Sequence, residues 1–196
     1  MPAAPKVFGI ILAGGEGKRL ITSEGQPALG GVYKLVAVEN DAGELVPAIK
    51  VSDTPAKVPN PGDKRLWRLY DQRGHATADL LALADEDPRQ MDSILLRHPV
   101  DHTAFRTLAR TDVSAIEPLL VPVLREGKRL HETPTIEEMR QLRIRDLERL
   151  DVGVRRLINP HIYHVSLSQR LWDLKQDLVA QAVGGRGNSS GPPQPA

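Results

Sequence analysis

Gly14-Gly15-Glu16-Gly17-Lys18-Arg19 is the stretch of this 196-residue chain best suited to chemistry. Glycines let the backbone approach an oxyanion closely, several N–H groups can converge on its oxygens, and Lys18 and Arg19 add positive charge. The spacing is not that of a Walker A loop, nor of a Gly-x-Gly-x-x-Gly dinucleotide loop. Two readings stand: a phosphate cradle built by Gly14, Gly15, Gly17, Lys18 and Arg19, or a glycine-rich turn carrying two solvated cations. No Gly-x-Ser-x-Gly elbow makes Ser166 or Ser168 a nucleophile, and both read as helix caps. No catalytic residue is assigned.

Metal chemistry has weaker support. The six histidines are His75, His98, His102, His131, His161 and His164, and none forms a His-Glu-x-x-His pair. His98 and His102 could share a helix face, but Pro99 between them opposes a helix. His161 and His164 flank Tyr163 without a carboxylate at a set spacing. Hydrogen bonding in loops is the expected role, and no metal site is predicted. Asp85-Glu86-Asp87 could hold magnesium through carboxylate oxygens, but an exposed acidic turn before Pro88 is the preferred reading.

These residues are positioned by four stretches of different character. Residues 7–13 are apolar and partly β-branched, the composition of a strand buried on both faces. Residues 32–39 read as a second strand, and Asn40-Asp41-Ala42-Gly43 supplies a hairpin turn into a strand over 45–51. Residues 65–70 alternate polar and apolar, Gln72-Arg73-Gly74-His75 turns, and 78–84 returns. Leu119-Leu120-Val121-Pro122-Val123 reads as a short strand within 117–124, its proline favouring a sheet edge. Thr135 with Glu138 forms a capping box for a helix striped by Ile136, Met139, Leu142, Leu147 and Leu150. Ser166 with Gln169 is read as the cap of a second helix, striped by Leu167, Leu171, Leu174, Leu178 and Ala182. Residues 184–196, rich in glycine, serine and proline, are expected to be a disordered tail.

Lysine plus arginine number 26 and aspartate plus glutamate 25, a formal net charge of +1. That balance removes the simple electrostatic case for a nucleic-acid or membrane-surface partner. With no cysteine, thiolate metal sites, disulfides and a cysteine nucleophile are excluded. The apolar run over 7–13 is far short of the ~20 residues that span a bilayer. A cytoplasmic location is expected. The predicted class is α/β, or α+β if the chain stands isolated.

From Arg19 onward the chain resembles the C-terminal part of a nicotinate phosphoribosyltransferase. The resemblance is carried in order by Arg19-Leu20-Ile21-Thr22-Ser23, Gln26-Pro27-Ala28-Leu29-Gly30-Gly31-Val32-Tyr33-Lys34-Leu35-Val36 and Ile49-Lys50-Val51-Ser52. It continues through Pro55-Ala56-Lys57-Val58-Pro59-Asn60-Pro61-Gly62-Asp63-Lys64, Arg68-Leu69-Tyr70-Asp71 and His98-Pro99. It ends with Leu119-Leu120-Val121-Pro122-Val123, Asn159-Pro160-His161-Ile162-Tyr163 and Val165-Ser166-Leu167-Ser168. The resemblance implies a partial irregular α/β barrel with β-hairpins and C-terminal helices. It also implies the joining of nicotinate to phosphoribosyl pyrophosphate, with ATP and Mg2+, in NAD salvage. That family's N-terminal half supplies a phosphohistidine that no histidine here matches, so the isolated chain is expected to lack turnover. A homodimer or a separate N-terminal half is the partner the resemblance implies.

Residues 7–20 resemble instead the start of a sugar-phosphate nucleotidyltransferase of the ADP-glucose pyrophosphorylase type, through Gly9-Ile10-Ile11-Leu12-Ala13-Gly14-Gly15-Glu16-Gly17-Lys18-Arg19-Leu20. Ile21-Thr22-Ser23 departs from that family's continuation. The expected organisation is therefore a strand and glycine loop over 1–20, a phosphoribosyltransferase-like region over 19–183, and a tail over 184–196. A nucleotidyltransferase and a non-catalytic partner-binding fragment are the alternatives. Both families place phosphate at the glycine loop.

Overall fold

The computed structural model describes residues 7–12 and 32–184, which divide into two units, each described here by itself. The first takes in residues up to 63 and from 173 onward; the second is 64–172. The glycine loop, with Gly14, Gly15, Gly17, Lys18 and Arg19, lies outside the described residues, as does the tail from 185.

The first unit holds a three-stranded antiparallel sheet: β1 (Val7–Leu12), β2 (Val32–Glu39) and β3 (Leu45–Pro47), in that order. β1 forms where the apolar run predicts a strand, but at the edge of an antiparallel sheet, paired with β2 alone. The turn after β2 behaves as its residues demand. Asn40 Oδ1 accepts from the amides of Ala42 (3.0 Å) and Glu44 (2.9 Å), and Gly43 takes φ 80°. β3 is shorter than the predicted 45–51: one more bond in the same register, from Ala48 N to the Val36 carbonyl, follows Pro47, and the strand pairing then ends. Val36 then serves as an anchor: its carbonyl accepts from Ala48 N (2.9 Å) and Gly62 N (2.8 Å).

The second unit is a six-stranded mixed sheet. Its strands are β4 (Lys64–Asp71), β5 (Ala76–Leu83), β6 (Ser93–Arg97), β7 (Phe105–Ala109) and β8 (Val113–Pro118), with β11 (Val165–Leu167) arriving last. The order is β7-β6-β11-β5-β4-β8. β11 enters between β5 and β6, parallel to the first and antiparallel to the second. Two short strands, β9 (Leu124–Arg125) and β10 (Lys128–Arg129), form a separate hairpin turned by Glu126 and Gly127 at positive φ. The class is the mixed α/β one that the sequence predicts.

The core follows the two-residue period of its strands. Trp67, Leu69, Ala78, Leu80, Ala82, Ile94, Leu96, Leu108 and Val113 bury together on one face. On the other face, Arg68 and Asp79 stand directly opposite across β4 and β5 and form a two-pronged ion pair (2.8 and 2.9 Å). Tyr163 Oη donates to the same carboxylate (2.9 Å). Burial, then Asp79, pushes the Tyr163 phenol well above its ordinary range.

Among the described residues there are three α-helices: α1 (Ile136–Glu148), α2 (Val152–Arg155) and α3 (Gln169–Gly184). α1 begins at the predicted capping box. Thr135 Oγ1 accepts from Glu138 N (3.2 Å), and Glu138 accepts from Thr135 N (2.7 Å). Its end is tied to the sheet, where Arg149 grips Glu117 (2.8 and 3.1 Å) and lies 3.8 Å over the Tyr70 ring. No residue of α1 is buried.

Several local expectations are corrected. Residues 119–123 are not a strand; the edge strand is β8, which pairs with β4 and ends at Pro118, so only Glu117 and Pro118 of the predicted 117–124 lie in it. Ser166 lies within β11 and does not cap α3; Ser168 does, its Oγ accepting from Leu171 N (3.2 Å). The acidic turn is not wholly exposed. Asp85 and Asp87 pair with Arg170 and Arg89, but Glu86 is buried, accepting from Ser168 Oγ (2.6 Å) and Leu83 N (2.8 Å). The objection raised by Pro99 stands: His98 and His102 share no helix, and residues 98–104 are the turn between β6 and β7.

Candidate anion-binding site

In the first unit, Lys34, Lys50 and Lys57 line one cavity of about 570 Å³ together with Leu35, Ile49 and Pro59. Three local structures deliver them. Lys34 lies on β2, Lys50 follows β3, and Lys57 ends a single 3-10 turn opened by Pro55. The Val36 carbonyl holds the last two segments beside the first by receiving Ala48 N and Gly62 N. Pro59 and Pro61 are buried, and Gly62 takes φ 78°, which only glycine adopts without strain.

The electrostatics favour an anion. Among the described residues, none of these lysines has a carboxylate at ion-pair distance. Three ammonium groups without counter-charge attract oxyanions and repel cations. Lys175 on α3 registers the same field. It is buried, and its Nζ donates to Asn60 Oδ1 (3.0 Å), a neutral partner. Burial first, and then the charge of Lys34, pushes its pKa below the usual lysine value. Among the described residues no three His, Asp or Glu side chains gather to hold a metal ion.

Sequence reasoning missed this basin. Each lysine sits in a different stretch, and only tertiary contact brings residues 34, 50 and 57 together. The available signal was the absence of any acid next to Lys34, Lys50 or Lys57 in sequence. The sequence-predicted phosphate residues Gly14, Gly15, Gly17, Lys18 and Arg19 lie outside the described residues. The histidines fall elsewhere. His98 meets His164 edge-on (5.3 Å between ring centroids), and His102 meets Trp172.

Comparison with known proteins decides the kinship. Residues 63–175, more than half of the chain, match the family model described as nicotinate phosphoribosyltransferase C-terminal domain. The chain belongs to the nicotinate phosphoribosyltransferase family. It is 33% identical over 166 residues to the nicotinate phosphoribosyltransferase of Bacillus subtilis, covering 84% of this chain and 33% of that protein. Identity to the human nicotinate phosphoribosyltransferase is 37% over 166 residues, 85% of this chain and 29% of the human one. The crystal structure of human nicotinic acid phosphoribosyltransferase superposes with a TM-score of 0.60 at 35% identity, covering 78% of this chain and 28% of that one. The chain thus spans about a third or less of the length of these relatives. No helix among the described residues is long and apolar enough to cross a membrane.

Proposed function

We propose that this chain acts as the C-terminal region of a nicotinate phosphoribosyltransferase and supplies phosphate-holding groups to the transfer of a phosphoribosyl group onto nicotinate. The observation that carries the reading is the basin of Lys34, Lys50 and Lys57, a cationic cavity with no acid among its described lining residues, in a chain of this family. In the reaction, the nicotinate nitrogen forms a bond to the ribosyl carbon as the bond to pyrophosphate breaks. The leaving group departs with the electron pair and gains negative charge. Ammonium groups already in place stabilise that charge without reorganising. Gly14, Gly15, Gly17, Lys18 and Arg19 are proposed as a second phosphate contact, from backbone amides and the bidentate reach of Arg19.

ATP, Mg2+ and the remaining catalytic groups belong to the N-terminal half of such an enzyme; that half, or a second copy of this chain beside it, is the proposed partner. The reading places the protein in the cytoplasm, where its substrates are small molecules. Purified chain with nicotinate, ATP and phosphoribosyl pyrophosphate should then yield no nicotinate mononucleotide.

Calorimetric titration with pyrophosphate tests the basin. Binding should weaken as salt is raised, and Lys50→Gln and Lys57→Gln should each lower affinity roughly tenfold, about 1.4 kcal/mol. Affinity unchanged in both variants would remove the basin from the reading. Shifts of the Gly14 to Arg19 amides on adding pyrophosphate, weakened by Arg19→Ala, would support the glycine loop; none at millimolar ligand would sink it.

A further inference from the structure

The second unit contains a cavity of about 410 Å³ that the proposed phosphate basin does not involve. Its size suits a small molecule. Four of the six histidines line it, His75, His98, His161 and His164, with Arg73 and Arg106 also on its wall. Imidazoles so placed invite a metal reading, and the hydrogen bonding argues against it. His98 Nδ1 accepts from Asp101 N (2.8 Å) and Val100 N (3.3 Å). A ring whose Nδ1 accepts must carry its proton on Nε2. That nitrogen donates a hydrogen bond and has no lone pair for a metal.

The carboxylates on the wall are already spent. Asp71 accepts from the amides of Arg73 and His75 through Oδ1 (both 2.9 Å) and from the Arg73 guanidinium through Oδ2 (3.0 and 2.9 Å). Asp151 accepts from Gly153 N (2.7 Å) and from Arg73 (3.4 Å). Arg73 is therefore neutralised where it stands. Arg106 is not: its guanidinium reaches only the Thr77 hydroxyl (3.3 Å), and no carboxylate among the described residues pairs with it. The two carboxylates and two guanidiniums of the wall balance in charge, but both carboxylates are engaged by Arg73, which leaves the cavity a surplus of donors and, in Arg106, a cation with no carboxylate in contact.

Its wall is also fitted. A Cβ on Gly153 would stand 2.5 Å from His161 Nδ1, so the approach of that imidazole requires glycine there. His161 N is held on the Gly153 carbonyl (2.8 Å). Phe105, which also lines the cavity, is largely exposed, offering an apolar rim.

We propose that this cavity binds a small molecule through an oxyanion, a phosphate or carboxylate held by Arg106 and the His98 Nε2–H. It is distinct in residues and in unit from the lysine basin. The test is NMR of histidine-labelled chain, titrated separately with inorganic phosphate and with benzoate. The imidazole resonances of His98 and His164 should move with at least one of them and saturate at roughly millimolar ligand. Movement with phosphate alone or benzoate alone tells which oxyanion is held. Arg106→Gln, at an exposed position where folding is not at stake, should weaken binding about tenfold. Gly153→Ala should displace the His161 resonance and weaken binding as well. No imidazole movement with either ligand up to about 10 mM, equal affinity in Arg106→Gln, or saturation of His98 by micromolar Zn2+ would each overturn the proposal. Lys50→Gln and Lys57→Gln report on the other site, so the two readings can fail separately.

Discussion

Two regions of the second unit each carry a clear apolar periodicity and meet opposite fates. In the sheet, Trp67, Leu69, Leu80, Ile94 and Leu96 recur at two-residue spacing within their strands and are all 3% exposed or less. In α1, Ile136, Met139, Leu142 and Leu147 recur at helical spacing, yet Ile136 is 82% and Leu142 53% exposed. Both patterns predict their element correctly. The difference is that each sheet strand finds neighbours in the same unit, while α1 is tied at its C-terminal end, through Arg149 on Glu117 and Tyr70 and through Ala76 N on the Arg149 carbonyl (2.8 Å), and none of its residues is buried. Periodicity says which face wants covering, and only neighbours from elsewhere in the chain can cover it.

The largest test of this contrast is Leu69→Ala. Leu69 is fully buried, so the lost contacts and the cavity left behind should cost about 3–5 kcal/mol in urea unfolding. A cost near that of a surface change would mean the sheet is not the stable part. Asp79→Ala comes next. It strands the Arg68 guanidinium and the Tyr163 hydroxyl, and we expect a loss of about 2–3 kcal/mol. The figure sits below the range for fully buried pairs because the Arg68 side chain remains 21% exposed. Recovery of full stability in Asp79→Asn would show that charge matters less than the hydrogen bonds.

A smaller effect should come from Lys175, the buried charge of the other unit. Its folded pKa lies below the unfolded value of 10.5, so in that window the unfolded chain binds more protons. Stability should therefore rise as pH climbs through the window toward 10.5, and Lys175→Met should abolish that rise. An unchanged slope in the variant, followed by chemical denaturation at several pH values, would contradict the burial argument. The smallest effect is expected for Leu142→Ala, within about 0.5 kcal/mol, because an exposed side chain loses little. A loss as large as that of Leu69→Ala would mean that α1 is covered in solution.

Local chemistry made much of this legible. The Asn40 to Gly43 turn, the β4–β5 hairpin and the Thr135 capping box each depend on residues adjacent in sequence, and each forms as read. β6 and β7 are not legible in the sequence, because each is only five residues long and residues 98–104 between them carry no two-residue hairpin signal; they pair with each other, and only β6 gains a distant partner, β11. The error at the second helix was one of register. Ser166 and Ser168 are equally good caps by type, and the pairing of Val165 to Leu167 with β5 assigns one to a strand and the other to the helix.

Sequence alone determined the family, since the matched stretches occur in order, and it determined the turns and the start of α1, since hydrogen bonds over two to four residues need no distant partner. Tertiary structure alone decided what meets what. It set Arg68 against Asp79 eleven residues away, brought Lys34, Lys50 and Lys57 to one cavity, and put His98 beside His164 rather than beside His102. The physical reason is common to all three. A charge, a donor or a ring gains its meaning from the field and partners around it, and those depend on strand register and segment docking, which residue type does not encode locally.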